Sequence, residues 1–180
     1  MSYRSLPRIA GGGVLAVAIA ASAIADQKPA ASKPAAPDCD APEYRQFDFW
    51  VGHWDVSQGG KAVGRNQIEV DLKRCALFES WSSNGGSRGR SVNFYDRTRQ
   101  RWHQSWIDDS GEPLHLDGGL VNGSMVLEGD TPGPNAAAVV HDRISWTPNR
   151  DGSVRQHWER RVGAATAWET VFDGLYRRAP

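Results

Sequence analysis

Apolar and polar residues alternate with a period of two from Phe47 almost to the end of the chain. Successive side chains of a β-strand point to opposite faces, so this period indicates strands that bury one face only. Gly, Pro, Asn or Asp interrupts the alternation about every 8 to 12 residues, a spacing typical of all-β sandwiches and barrels. No stretch keeps a helical period for more than about two turns, so we expect helix to be a minor component.

Ten strands follow from this alternation, and the separators between them carry the Gly and Asn residues that tight hairpins require. The predicted ranges are 48–58, 63–72, 76–82, 90–95, 101–107, 113–120, 124–128, 138–146, 153–161 and 167–176. Consecutive hairpins make an up-and-down meander, and closing it removes the exposed edges. We therefore predict an all-β fold, a single antiparallel barrel of about ten strands within residues 43–180.

The first 42 residues differ in composition from this domain. Two arginines in residues 2–8 precede an apolar run over 9–23, and Ala23-Ile24-Ala25 completes the pattern of a secretory signal peptide over residues 1–25. The run is shorter than a membrane-spanning helix needs, so retention as an anchor is the weaker alternative. Residues 26–42, rich in Ala, Pro and Lys, predict a flexible linker. We expect a periplasmic or secreted protein.

The two cysteines predict a disulfide, and the net charge limits the classes of partner that are expected. Cys39 and Cys75 are the two cysteines of the chain, and in an oxidising compartment such a pair favours a disulfide. The segment 43–180 has a net charge close to −1. It therefore offers no electrostatic reason to expect nucleic acid or, once the signal peptide is removed, a membrane as a partner.

The positions of the tryptophans on the predicted strands indicate what fills the barrel. Trp102, Gln104 and Trp106 share one strand face, whereas Arg101 and His103 share the other. The charged face must meet solvent, so the Trp and Gln face is predicted to lie inside.

Three further strands extend this inner set. By the same alternation, predicted inner faces combine Gln156 with Trp158, and Glu79 with Trp81. A last set combines Trp168, Thr170 and Phe172.

Glu79, Gln104 and Gln156 would each cost a few kcal/mol if buried without hydrogen bonds. They must bond to one another, to water, to an indole N–H or to a ligand. An apolar cavity with a few convergent polar groups is the usual composition of a small-molecule site. A filled, ligand-free core in which Trp and Gln satisfy each other is the alternative.

Residues 52–54, Gly-His-Trp, resemble the first-strand Gly-x-Trp signature of lipocalins and their calycin relatives. Together with segments 75–81, 102–106, 143–146, 154–159 and 172–176, they make the chain resemble a family of bacterial secreted lipocalin-like domains of unknown function. The resemblance covers nearly all of 47–176 and implies a lipocalin-like fold without implying a reaction. The chain departs from it at residues 162–165, Val-Gly-Ala-Ala, where a short Asp-Gly-Gly hairpin is expected.

The residues give little support for a metal site, a haem site or a catalytic nucleophile. The five histidines lack zinc-ligand spacing, so we predict no metal site. We do not expect haem or another cofactor; His53 and His141 would be the candidate haem ligands, because His103 and His157 are predicted to face outward. The residues Gly86-Ser87-Arg88-Gly89 are predicted to form a turn and not a nucleophile elbow, and therefore no serine nucleophile is predicted.

We predict a small-molecule binding or carrier protein whose ligand is aromatic or amphipathic. The predicted stacking walls are Trp81, Trp102, Trp106 and Trp158, and the predicted orienting groups are Glu79, Gln104 and Gln156. Arg65 and Arg143 would favour a ligand carboxylate or phosphate at the mouth, unless they form ordinary ion pairs.

Two other classes of function remain open from the residues alone. One is an enzyme that uses an inward Glu79 or Asp142 as general acid or base. The other is a ligand-free structural or interaction module.

Overall fold

The computed structural model of this chain describes residues 39–133, 138–163 and 167–180, and the predicted signal peptide and most of the linker lie outside them. Two short 3₁₀ helices, Pro42–Arg45 and Asp48–Trp50, precede the strands. The strands are β1 Gly52–Gln58, β2 Lys61–Asp71, β3 Ala76–Ser83, β4 Arg88–Asp96, β5 Arg101–Asp108, β6 Leu114–Val121, β7 Ser124–Pro132, β8 Val139–Pro148, β9 Val154–Val162 and β10 Glu169–Arg178. Among the described helices, neither is long and apolar enough to cross a membrane.

Every strand pairs antiparallel with its neighbours in sequence, and β1 also pairs with β10, which closes the barrel. Val56 lies opposite Tyr176 at this closure. The predicted all-β class and closed up-and-down topology are therefore confirmed. Closure gives the sheet an inner and an outer face, and successive residues of a strand alternate between lumen and solvent except at β-bulges.

The first strand begins later than the alternation predicts. Residues 48–50 form a 3₁₀ turn, and β1 starts at Gly52. Gly52 has φ +140°, and a side chain there would overlap Arg178, whose guanidinium donates to the Val51 carbonyl at 2.6 Å. Glycine is therefore required at the corner that turns the chain from the 3₁₀ segment into the barrel.

An aromatic plug, made of Phe47, Trp50, Trp102 and Trp146, packs at the barrel end beside the 3₁₀ helices. The Phe47 ring stacks on Trp50 at 4.8 Å and meets Trp102 and Trp146 edge-on. Trp102 donates its indole N–H to the Glu43 carbonyl at 3.1 Å. Residues ahead of the first strand thus bury large apolar area and stabilise this end of the barrel.

A β-bulge in β10 corrects one predicted face. Thr170 pairs with Glu159 and Phe172 with Trp158, so β10 advances two residues while β9 advances one. Phe172 consequently faces the lumen, whereas Trp168 and Thr170 lie on the outer side, where Trp168 stacks with Arg143 and Arg161. The prediction that these three share an inner face is wrong, because a bulge interrupts the alternation.

Cys39 and Cys75 form a disulfide, as predicted. The bond joins the start of the described chain to the turn between β2 and β3, and Cys39 is buried. It closes a loop with a sequence separation of 36 residues. A loop of that length contributes roughly 3 to 4 kcal/mol in the chain-entropy model.

Replacing both Cys39 and Cys75 with serine should lower the free energy of unfolding by about 2 to 4 kcal/mol. The physical reason is that the unfolded chain regains the freedom of the closed loop. Urea denaturation of the oxidised protein and of the double variant measures the difference. An unchanged midpoint and slope would show that the bond does not restrain the unfolded state.

Candidate functional site

A cavity of about 220 Å³ lies inside the barrel, beyond the aromatic plug. Along the inner face of β5, Trp102 packs in the plug, Gln104 follows and Trp106 comes last. The cavity is lined by Glu79, Trp81, Gln104, Trp106, Leu114, Ile144, Gln156, Trp158, Val171, Phe172 and Tyr176. Most of these side chains are aromatic or aliphatic, and three of the polar ones are the predicted orienting groups.

Inward-facing glycines create the space that the aromatic walls occupy. A Cβ at Gly89 would lie 2.1 Å from the six-membered ring of Trp106, and one at Gly64 would lie 2.7 Å from the ring of Trp81. A Cβ at Gly174 would likewise lie 2.3 Å from the ring of Phe172. Each ring lies over a glycine, so the walls fit flat against the sheet and leave the centre of the lumen open.

A polar floor, made of Asn66, Glu79, Ser91, Asn93 and Gln104, forms one hydrogen-bonded chain at the inner end of the cavity. Gln104 donates to Asn93 at 2.8 Å, and Asn93 donates to Ser91 at 2.8 Å. Ser91 and Asn66 then donate to the two carboxyl oxygens of Glu79, at 2.6 and 2.7 Å. These bonds satisfy much of the polarity that burial would otherwise penalise.

Glu79 supplies the carboxyl group in the lining of the cavity, and only 5% of the residue is exposed. Burial raises its pKa from 4.5 to about 7, although the hydrogen bonds from Ser91 and Asn66 favour the charged form. At neutral pH the carboxyl is therefore divided between its protonated and ionised forms. A group balanced in this way can exchange a proton with a bound molecule.

Tyr176 and Gln156 form the other polar pair of the cavity. The Tyr176 hydroxyl donates to the Gln156 side-chain oxygen. Burial, followed by the nearby Glu79 charge, raises the pKa of Tyr176 well above its ordinary value, so the hydroxyl stays protonated. The described hydrogen bonds engage one terminal atom of Gln104 and one of Gln156. The second terminal atom of each amide is the one that a ligand would meet.

Asp142 faces inward but does not line the cavity. It accepts hydrogen bonds from the Trp158 indole at 2.6 Å and from Arg160 at 2.9 and 3.3 Å. Only 1% of Asp142 is exposed, and Arg160 stacks over the Trp158 ring at 5.3 Å. Asp142 therefore fixes the orientation of a cavity wall, and its oxygens are occupied by these donors.

Three of the predicted binding residues lie away from the cavity. Trp102 belongs to the plug. Arg65 and Arg143 are on the outer face, because their neighbours along the chain point inward; Arg65 pairs with Asp55 at 3.1 Å and Arg143 with Glu159 at 2.9 Å. The ion-pair interpretation of the two arginines thus fits their position. The histidines considered for haem, His53 and His141, are also on the outer face.

No described group of three or more His, Cys, Asp or Glu side chains is arranged to hold a metal ion. No model of a known protein family matches the chain, and no curated protein matches it. The closed ten-stranded antiparallel barrel is compatible with a calycin-like fold. The class is thus defined by architecture: an all-β barrel with a buried aromatic cluster and an internal cavity.

From the raised pKa of Glu79 we predict how the free energy of unfolding depends on pH. The folded protein holds this proton with a pKa of about 7 and the unfolded chain with about 4.5. The folded state therefore binds more protons between these values, and its stability falls as the pH rises through that window. Glu79→Gln should remove about 2 to 3 kcal/mol of the difference in unfolding free energy between pH 5 and pH 8.

Urea denaturation at the two pH values, with the disulfide intact, measures this effect. Glu69→Gln, at an exposed position of β2, is the matched control and should keep the wild-type pH dependence. If Glu79→Gln also keeps it, the carboxyl does not carry the proton that the structure assigns to it.

Proposed function

We propose that this protein is a periplasmic or secreted lipocalin-like binding protein that holds a small aromatic or amphipathic molecule in its Trp-lined cavity. The observation that carries the proposal is the convergence of Trp81, Trp106 and Trp158 with Glu79, Gln104 and Gln156 around one space of about 220 Å³. Apolar walls with a few convergent polar groups are the ordinary composition of a small-molecule site.

The cavity volume limits the ligand. Apolar cavities of about 150 Å³ bind benzene, and drug-sized ligands occupy roughly 300 Å³ or more. A space of about 220 Å³ therefore suits a molecule of one ring with a substituent, or two fused rings. The indole rings offer faces and edges for stacking. A single polar substituent could reach the free amide atoms of Gln104 or Gln156, or the Glu79 carboxyl.

The proposed compartment rests on two features. The Cys39–Cys75 disulfide is consistent with an oxidising environment. The signal-peptide pattern over residues 1–25 supports export.

A second depression, of about 480 Å³, adjoins the cavity and is the proposed route into it. It shares Trp106, Leu114 and Trp158 with the cavity lining, and Arg160 and Glu112 form part of its edge. A ligand entering there would pass between the Trp106 and Trp158 rings. Because Asp142 holds Trp158 and Arg160 in place, we expect this entrance to have a fixed width.

Catalysis by Glu79 is the second candidate. A carboxyl with a pKa of about 7 that lines a cavity is suited to general acid or base chemistry at neutral pH. Under this alternative, a bound molecule would be converted. Glu79→Gln would then abolish turnover while the affinity for the same molecule stayed within a few-fold.

Intrinsic tryptophan fluorescence, titrated with a panel of small aromatic and amphipathic molecules, tests the binding proposal. A ligand between Trp81, Trp106 and Trp158 should quench or shift the emission in a saturable manner. A flat response to the entire panel would contradict the proposal and favour a filled core.

Gly89→Ala should weaken the binding of any ligand found in this way by at least about tenfold, equal to about 1.4 kcal/mol. The added methyl group would lie 2.1 Å from Trp106 and must push that ring into the cavity. Gly119→Ala, on β6, is the control, since a methyl group there meets nothing within 4 Å. Equal affinities in both variants would place the ligand elsewhere.

A further inference from the structure

The outer wall of the barrel carries an Asp–His–Ser chain of hydrogen bonds that the cavity does not use. His103 Nδ1 lies 2.9 Å from Asp117 Oδ1, and His103 Nε2 lies 2.8 Å from Ser105 Oγ. We name these residues, Ser105, His103 and Asp117, the outer triad. An imidazole between a carboxylate and a hydroxyl, in hydrogen-bond reach of both, is the arrangement that activates a serine nucleophile.

Strand register builds the outer triad. His103 and Ser105 are two residues apart on β5 and therefore share its outer face, while Gln104 points to the cavity. On β6, Asp117 lies directly opposite His103, and His115 lies directly opposite Ser105. The barrel thus holds all four side chains within the paired part of two adjacent strands.

The protonation of Asp117 fixes the direction of the hydrogen bonds. Burial acts to raise the pKa of Asp117, but the hydrogen bonds from His103 and Arg99 outweigh it and hold that pKa below its ordinary value. An ionised carboxylate only accepts, so the His103 proton is on Nδ1. When Nδ1 carries the one ring proton, Nε2 is an acceptor, and Ser105 donates its hydroxyl proton to it.

Arg99 holds the carboxylate from the other side. Its Nη1 donates to Asp117 Oδ2 at 2.9 Å, and its Nε donates to Asp96 at 2.7 Å. Asp117 Oδ1 is thereby left directed at His103. Because Ser105 gives its proton to His103, His115 Nδ1, which is 3.0 Å from Ser105 Oγ, acts as a donor to that oxygen.

An apolar groove adjoins the serine. Its volume is about 370 Å³, and Ser105 and His115 line it together with Phe78, Val92, Ile107 and Pro113. Val92 is the residue of β4 opposite Ser105, and Phe78 of β3 is opposite Val92. An apolar chain bound across these strands would end at the serine hydroxyl. Phe78 and Ile107 are exposed, so the groove is open to solvent.

We propose that Ser105 is a nucleophile that hydrolyses esters of small apolar acids, with His103 as its general base and Asp117 as the residue that positions His103. Ser105 Oγ forms a bond to the ester carbonyl carbon as its proton passes to His103 Nε2. The carbon–oxygen bond to the alcohol breaks, and the alcohol leaves with that proton. Water, deprotonated by His103, then releases the carboxylic acid and restores the serine.

Ester hydrolysis also needs a hydrogen-bond donor to the oxyanion, and His115 is the residue that would supply it. In the tetrahedral intermediate the oxyanion is bonded to the same carbon as Ser105 Oγ, so the His115 imidazole, whose Nδ1 is 3.0 Å from that Oγ, would be close enough to donate to the oxyanion. The groove, which Ser105 and His115 also line, would hold the acyl chain. The outer triad is separate from the Trp-lined cavity, because neighbouring residues of β5 point to opposite faces.

Labelling of the native protein with a fluorophosphonate probe, followed by peptide mass spectrometry, tests the proposal without any variant. The probe reacts with activated serines, so the expected product is a covalent adduct on Ser105. The absence of an adduct on that residue would overturn the proposal.

Hydrolysis of p-nitrophenyl butyrate supplies the kinetic test. Ser105→Ala should lower kcat/KM by at least about 100-fold. Ser145→Ala is the matched control and should leave the rate unchanged. Ser145 lies opposite His157 on the outer face, but His157 makes its hydrogen bond to Thr170 instead. Equal rates for Ser105→Ala and the native protein would overturn the proposal.

Asp117→Asn tests the positioning role. Loss of the carboxylate removes the acceptor that keeps the His103 proton on Nδ1. The expected result is a lower kcat with KM unchanged, because the acyl groove is intact. A parallel rise in KM with unchanged kcat would show that Asp117 only supports the groove.

Discussion

The closure of the sheet between β1 and β10 is the constraint on which the other features depend. Once both edges of every strand are paired, a slip of one residue would disrupt two neighbours and move an entire inner face into solvent. Register is therefore fixed around the barrel, and with it the side of each residue. On β5 this places Gln104 and Trp106 in the cavity and His103 and Ser105 on the outer wall. One strand thereby contributes to both proposed sites.

The interior combines large rings with small neighbours. Trp81, Trp106 and Phe172 each lie over a glycine, which brings bulky side chains close to the sheet and leaves a cavity between them. The aromatic plug fills the other end, so the same lumen is densely packed at one end and open at the other. Burial of Glu79 opposes folding at neutral pH, and the hydrogen bonds of the polar floor offset much of this cost.

The strands could be predicted from the sequence because the alternation of apolar and polar residues is visible within each segment, without knowledge of distant contacts. Nine of the ten predicted strands lie within two residues of the observed starts, and the exception, β1, begins at a glycine whose backbone conformation excludes a continuous strand. Alternation alone also predicts correctly that Gln104, Trp106, Gln156 and Trp158 face the lumen. The disulfide follows from the number of cysteines and the expected compartment.

Features that depend on contacts between distant strands could not be predicted in this way. The bulge between Thr170 and Phe172 moves Trp168 to the outer face, and nothing in the local pattern marks it. Trp102 has the alternation of a cavity residue but is covered by Phe47, from a segment ahead of the barrel. The outer triad has no sequence motif, because its carboxylate comes from the next strand.

The central claim is that the barrel encloses an open, Trp-lined cavity. Crystals of the protein under xenon pressure test it most directly, since apolar cavities take up xenon. The account predicts xenon density enclosed by Trp81, Trp106 and Trp158; a lumen filled by those rings, with no density between them, would contradict it.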